Sequence, residues 1–145
     1  MSYLGLDLST QSLSALIMHE GEVLLRKSIN FAKDLPHYET ENGFVRGENN
    51  SAYTYPQMFL EALDLLLEET KSLNPGVQAI SLSGQQHASV YLNNTFSGTL
   101  TELNIDADLK TQLNDCFTRS ITPIWVDNST AEECAEMGNS LNDQQ

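Results

Sequence analysis

Tyr3-Leu4-Gly5-Leu6-Asp7-Leu8-Ser9-Thr10-Gln11-Ser12-Leu13-Ser14-Ala15-Leu16-Ile17-Met18 is the stretch on which the fold turns. Tyr3 to Leu8 is apolar with an alternating tendency, as a half-buried strand requires. Ser9-Thr10-Gln11-Ser12 is a polar turn, and Leu13 to Met18 reads as a second strand. Glu20-Gly21 is a tight two-residue turn, after which Val23 to Ile29 returns as a third strand. Asp7 closes the first strand beside a hydroxyl-rich turn. A carboxylate at the end of a buried strand is costly unless it meets a cation or hydrogen bonds. A turn of small polar residues offers backbone N–H groups and side-chain donors. Together they suit a phosphate with its hydrated Mg²⁺, held by Asp7 and gripped by the turn. The plain alternative is an Asx-turn at Asp7, with Ser9 and Thr10 only closing a hairpin.

Beyond the meander, residues 33–52 hold Pro36, Gly43, Gly47 and Asn49-Asn50 without periodicity and read as a loop. Thr54-Tyr55-Pro56-Gln57 has the form of a capping box with Pro56 in the first helical turn. Phe59, Leu63, Leu66 and Leu67 follow at helical spacing, and Asn74-Pro75-Gly76 is a stop signal. Val77 to Ser83 reads as a strand, interrupted by Gly84-Gln85-Gln86-His87 and resumed from Ala88 to Leu92. Residues 93–120 are polar and irregular, with a helical turn from Asp106 to Cys116. Ile121 to Val126 reads as the last strand. Ser129-Thr130-Ala131-Glu132 is a second capping box, opening a helix with Ala131, Cys134, Ala135 and Leu141 on one face.

Two further motifs carry chemistry. Ser81 to His87 follows a strand, and Gly84 permits a bend. Gln85, Gln86 and His87 then gather amide and imidazole groups. Such a cluster suits a polyhydroxyl ligand, because each hydroxyl both donates and accepts. A surface turn with a solvated His87 is the alternative. Pro123 to Ser129 places the sole Trp, Trp125, two residues before Asp127, on one side of a strand. An indole can cover the apolar face of a sugar while a carboxylate binds its hydroxyls. A core Trp followed by a helix cap at Ser129 is the alternative. His19 and His37 have no partner at a telling spacing and read as solvated.

The 145 residues suffice for one domain and are too few for two lobes with a cleft between them. A formal net charge of −13 argues against binding nucleic acid or an anionic membrane surface. The two cysteines, Cys116 and Cys134, form no CxxC pair and read as buried free thiols in a reducing cytoplasm. The N-terminus has no basic region before Asp7 and does not read as a signal peptide. No apolar run approaches membrane-spanning length. Asn142-Asp143-Gln144-Gln145 trails off without a domain cap, so a truncated chain is expected.

Taken in order, the three motifs resemble those of the FGGY carbohydrate kinases. Asp7-Leu8-Ser9-Thr10 is similar to that family's first phosphate motif, Gly84-Gln85-Gln86-His87 to its sugar site, and Trp125-Val126-Asp127 to its Trp-x-Asp before a helix. Within the family the xylulose kinases look closest, from the run Gly84 to Tyr91, from Asp115-Cys116-Phe117 and from Pro123 to Thr130. The resemblance spans Tyr3 to about Leu141. It implies an α/β fold: a ribonuclease H-like lobe of the actin–hexokinase superfamily, a mixed sheet with flanking helices, and a second lobe absent from this chain.

The resemblance also implies ATP-dependent, Mg²⁺-assisted phosphorylation of a ketopentose hydroxyl, D-xylulose to xylulose 5-phosphate. Asp7 would sit near the metal, and Ser9, Thr10 and Gln11 near the phosphates. Gln86, His87, Trp125, Asp127 and Asn128 would contact or line the sugar pocket. The catalytic base would be an Asp opening the second lobe, so residues 1–145 alone would be inactive. The partners would be sugar, ATP and that second lobe. One departure stands out: the family often carries Lys or Arg four residues after the Thr, and here that residue is Ser14. Ser14 leaves open a non-catalytic actin-like module that binds sugar or protein, and ribulose or gluconate remains an alternative sugar.

Overall fold

A computed structural model of the chain describes residues 1–71 and 76–142. The alternating first segment forms β1 (Ser2–Leu8), β2 (Ser12–His19) and β3 (Glu22–Asn30). β1 pairs antiparallel with β2, setting Asp7 opposite Ser14, and β2 pairs antiparallel with β3, setting Ser14 opposite Ser28. The β2–β3 turn has positive φ at both Glu20 (50°) and Gly21 (90°). Its handedness matches the twist of the flanking strands, which is why a Gly is useful there. The strand expected at Val77 is β6 (Val77–Gly84), which pairs parallel to β1 and completes a mixed sheet ordered β3-β2-β1-β6.

The even positions of β1 face the core. Leu4, Leu13, Ala15, Ile17 and Ile29 are buried beneath α2 (Pro56–Lys71), which contributes Met58, Ala62 and Leu66. Phe31 and Leu35, from and just after the short helix α1 (Phe31–Asp34), fill the same core. Of the expected stripe, Leu66 is fully buried and Phe59, Leu63 and Leu67 are partly buried; Met58 and Ala62 complete the most deeply buried face with Leu66. α2 begins at Pro56 as expected. Thr54 does not cap it, because its hydroxyl donates to Gly43 O at 3.0 Å. The expected stop at Asn74-Pro75 lies outside the described residues, as do Asp143, Gln144 and Gln145.

Several expectations need correction. The loop of residues 33–52 takes in the end of α1, a 3-10 turn at Pro36–Tyr38 and β4 (Val45–Arg46), and it runs into β5 (Ala52–Thr54). β5 is flanked by β4 and by β7 (Thr122–Pro123) in a small second sheet. The strand expected from Ala88 to Leu92 is absent; only a bridge between Leu92 and Phe117 forms there. The last strand is confined to Thr122–Pro123, so Trp125 and Asp127 lie in a turn, with Asp127 N–H bonded to Ile124 O. The polar stretch holds α3 (Phe96–Thr101), α4 (Leu109–Leu113) and a 3-10 turn at Asn114–Cys116. α5 (Ala131–Asn142) starts where expected, yet its apolar face is exposed, with Met137 at 67% and Leu141 at 66%. Cys134 on that helix is likewise exposed, whereas Cys116 is buried; both are free thiols.

A polar cluster joins α4 to α2. Glu61 accepts from Tyr38 Oη (2.9 Å) and Lys110 Nζ and lies 3.1 Å from His37 Nε2, so His37 is exposed as expected but has a partner. Asp64, one turn on, accepts from the N–H groups of Leu109 and Lys110. His19 is also engaged, with Nδ1 2.7 Å from the Ser2 hydroxyl. Among the described residues, no helix is long and apolar enough to cross a membrane.

Candidate functional site

The parallel pairing of β1 with β6 sets Leu8 opposite Gly84, so the strand ends carrying Ser9-Thr10 and Gln85-Gln86-His87 emerge side by side. Thr10 ties them together. Its hydroxyl donates to Gln85 Oε1 at 3.1 Å and accepts from Trp125 Nε1 at 3.1 Å. Segments 75 and 115 residues away in the chain thereby meet on one side chain. Trp125 is 60% exposed, so its ring is not part of the core.

The turn itself is shaped from within. Ser9 N–H and Ser9 Oγ both donate to Ser12 O, at 2.9 and 3.1 Å, which closes the hairpin. Phe31 N–H donates to Gln11 O, tying the turn to the end of β3. Among the described residues, the N–H groups of Thr10 and Gln11 and the Gln11 side chain have no partner. Behind the turn lies Gly43, at φ 86°, where an added Cβ would fall 2.0 Å from Thr10 O. Only a glycine backbone fits that close against Thr10. Sequence reasoning gave Gly43 no role. Its signal was faint: one of two glycines in an aperiodic stretch.

Asp7 is exposed at the end of β1, and its carboxylate has no hydrogen bond or ion pair among the described residues. A carboxylate left free beside hydroxyls fits a hydrated Mg²⁺, which takes one or two protein carboxylates and fills its shell with water and phosphate oxygens. The described residues contain no group of three or more His, Cys, Asp or Glu able to hold a metal by themselves. Gln86 and His87 are exposed, and their side chains have no partner among the described residues; His87 is held at φ 58°. A left-handed backbone at a non-glycine residue following a strand is the kind of local strain often found at ligand-facing positions.

Asp127 and Asn128 are differently placed. Asp127 Oδ2 accepts from Ala52 N–H at 2.7 Å, and Oδ1 accepts from the Ser129 hydroxyl at 2.6 Å and its N–H at 3.2 Å. Those bonds from Ser129 and Ala52 hold its carboxyl below the ordinary Asp range. Asn128 N–H donates to Asn50 O, and its amide to Val126 O. Both residues fasten the Trp125 turn to the start of β5. Ser129, expected as a helix cap, gives its hydroxyl to Asp127 instead.

No protein-family model matches the chain. It is 36% identical over 145 residues to xylulose kinase 2 of Arabidopsis thaliana, covering 96% of this chain and 26% of that protein. It is 39% identical over 142 residues to the xylulose kinase of Saccharomyces cerevisiae, covering 92% and 23%. By sequence, its relatives are xylulose kinases. The mouse xylulose kinase is 37% identical over 139 residues. The chain therefore spans about a quarter of the length of the xylulose kinases it matches. Among solved structures, a ligand-bound xylulose kinase of Lactobacillus acidophilus superposes with a TM-score of 0.65 at 16% identity, covering 96% of this chain and 22% of that one. The xylulose kinase of Brucella ovis gives 0.64 at 20% identity, covering 98% and 24%. At those identities the superpositions speak for the fold alone. The mixed sheet with flanking helices is the α/β fold expected from the sequence.

Proposed function

We propose that residues 1–145 are the first-lobe part of an ATP-dependent FGGY sugar kinase that phosphorylates a ketopentose, D-xylulose to xylulose 5-phosphate. The observation that carries this is the Trp125–Thr10–Gln85 link, which gathers the phosphate-type turn, the glutamine–histidine segment and the sole Trp at one edge of the sheet. The similarity to xylulose kinases supplies the substrate class.

The free N–H groups of Thr10 and Gln11 form a small nest for phosphate oxygens. Ser9 shapes that nest, since its own donors are engaged by Ser12 O. Asp7 would hold Mg²⁺, which when bound neutralises charge on the phosphates. Gln86 and His87, exposed and unpartnered, would take sugar hydroxyls, and the Trp125 ring would cover an apolar sugar face. Asp127 and Asn128 line the pocket by holding Trp125 in place. The proton of the attacking hydroxyl goes to an Asp on the second lobe, and closure of the lobes excludes water. Two free cysteines, one of them exposed, suit a reducing cytoplasm.

The test is ADP release by the full-length protein carrying this segment, with D-xylulose and Mg·ATP. Turnover is expected, and His87→Ala should raise the KM for the sugar by about threefold to tenfold, the loss of one neutral hydrogen bond of ~0.5–1.5 kcal/mol, with the KM for ATP unchanged. Residues 1–145 alone should show none. A non-catalytic actin-like module is favoured instead by Ser14, whose hydroxyl bonds Ser28 Oγ and brings no cation to Asp7. Absence of any turnover by the full-length protein on D-xylulose, ribulose or gluconate would establish that second reading.

A further inference from the structure

Ser14 stands directly opposite Asp7 across the β1–β2 ladder, and Ser28 and Ser83 extend the same row. Alternation along the strands puts all four side chains on the face of the sheet turned away from α2. Two residues along β3 from Ser28, on that same face, is Arg26. It pairs with Leu16, which in turn pairs with Gly5. Arg26, Asp7, Ser14, Ser28, Ser81 and Ser83 line one open cavity of about 580 Å³. Its floor at Gly5 is bare: beyond the adjoining residues, a Cβ there would meet nothing among the described residues nearer than Leu16 O at 3.9 Å.

Cations are scarce in a chain of net charge −13, with seven Lys and Arg in all. Lys27 pairs with Glu69, Lys71 with Glu68 and Lys110 with Glu61; Arg46 lies over Phe44 and Arg119 over Tyr91. Among the described residues, only Arg26 and Lys33 have side chains without a partner. Lys33 belongs to α1, whereas Arg26 lies in the cavity that holds Asp7. Two strands across and two residues along, the Cα atoms of Arg26 and Asp7 are roughly 12 Å apart by ordinary sheet spacings. An extended Arg and an Asp close most of that gap, leaving room for an anion between them.

We propose that Arg26 is a nucleotide-phosphate ligand, supplying from β3 the positive charge that Ser14 does not bring to Asp7. This rests on the kinase reading above. The guanidinium contacts phosphate oxygens held beside Asp7, while the hydroxyls of Ser28, Ser81 and Ser83 donate to the same oxygens, Ser14 giving its proton to Ser28 Oγ. Arg26 is exposed, so its replacement leaves the core untouched. Lys27 is a built-in control: it is the next residue and carries the same charge, and although it borders the cavity its amine is engaged by Glu69 of α2.

The experiment measures binding of inorganic tripolyphosphate to the 145-residue chain by calorimetry, and the KM for Mg·ATP in the full-length protein. Arg26→Gln should weaken tripolyphosphate binding and raise the KM for Mg·ATP by about tenfold, as loss of a charge-assisted hydrogen bond does. Arg26→Lys should recover part of the loss, and so should Ser14→Lys added to Arg26→Gln. Lys27→Gln should change neither constant by more than about twofold, the scale of a screened charge already paired. The KM for D-xylulose and the affinity for xylulose 5-phosphate should stay constant throughout, which separates nucleotide from sugar phosphate. Equal losses in Arg26→Gln and Lys27→Gln, no loss in Arg26→Gln, or no binding of tripolyphosphate by the unsubstituted chain would overturn the assignment. Normal turnover with an unchanged ATP constant in Arg26→Gln removes Arg26 and leaves the kinase intact. No turnover by the unsubstituted protein removes the kinase, and the tripolyphosphate comparison still decides Arg26.

Discussion

Trp125 Nε1 donates to the Thr10 hydroxyl at 3.1 Å across 115 residues of chain. Because Thr10 in turn donates to Gln85, its hydroxyl hydrogen is directed away from any phosphate, and the backbone N–H groups of the turn are what remain for an anion. Trp125→Phe should therefore loosen the turn rather than empty it. One neutral hydrogen bond is worth about 0.5–1.5 kcal/mol, so tripolyphosphate binding should weaken by about threefold to tenfold. As Trp125 is the only Trp, its fluorescence in the unsubstituted chain should shift on tripolyphosphate binding. No shift on saturation would separate the indole from the phosphate turn.

Gly43 makes a second, steric demand on the same turn. A methyl group at that position would overlap Thr10 O and lie 2.8 Å from Gln11 Cα, on a backbone at φ 86°. Gly43→Ala should destabilise the fold by about 1–3 kcal/mol, the cost of a strained backbone, and weaken tripolyphosphate binding as the turn is displaced. Thermal unfolding and calorimetry read the two effects separately. Unchanged values in both would mean that the 41–44 segment does not brace the turn.

The three-strand meander was legible because alternation and a Glu-Gly turn specify it locally. α2 was legible because its apolar spacing and Pro56 agree. The second sheet was not, since strands as short as Val45–Arg46 and Thr122–Pro123 are too brief to show a period. Among the described residues, Ala88 to Leu92 has strand-like residues but finds no ladder partner beyond one bridge, and α5 has a helical stripe that stays exposed. At the site, Asp7, Thr10 and His87 could be picked out as residue types in short motifs. The Thr10–Gln85 and Thr10–Trp125 bonds, the fit of Gly43 and the face carrying Arg26 depend on the parallel β1–β6 register and on tertiary approach, which no local pattern encodes.

Glu61 at the α2–α4 junction predicts a pH response. Burial acts to raise its pKa, but hydrogen bonds from Lys110, His37 and Tyr38 overcome this and hold the carboxyl below its ordinary value. A carboxyl lowered on folding adds stability that is present above its unfolded pKa, about 4.3, and lost as pH falls through the lower folded value. Lys110, raised first by its bond to Glu61, adds stability below its unfolded pKa that is lost as pH rises through the folded one. The unfolding temperature should fall more steeply below pH ~4.3 in the unsubstituted chain than in Glu61→Gln. Parallel slopes would show that the cluster contributes nothing in acid.

The central claim is that Asp7 and its turn form the phosphate and metal side of a sugar kinase. Its most direct measurement is kcat of the full-length protein and of Asp7→Asn with D-xylulose at saturating Mg·ATP, beside their unfolding curves. Asp7 is exposed and unpartnered, so the unfolding curves should coincide, while kcat should fall by about two orders of magnitude or more, as when one charge-stabilising group is removed. Near-normal turnover in Asp7→Asn would contradict the claim and leave Asp7 as a residue that only ends a strand.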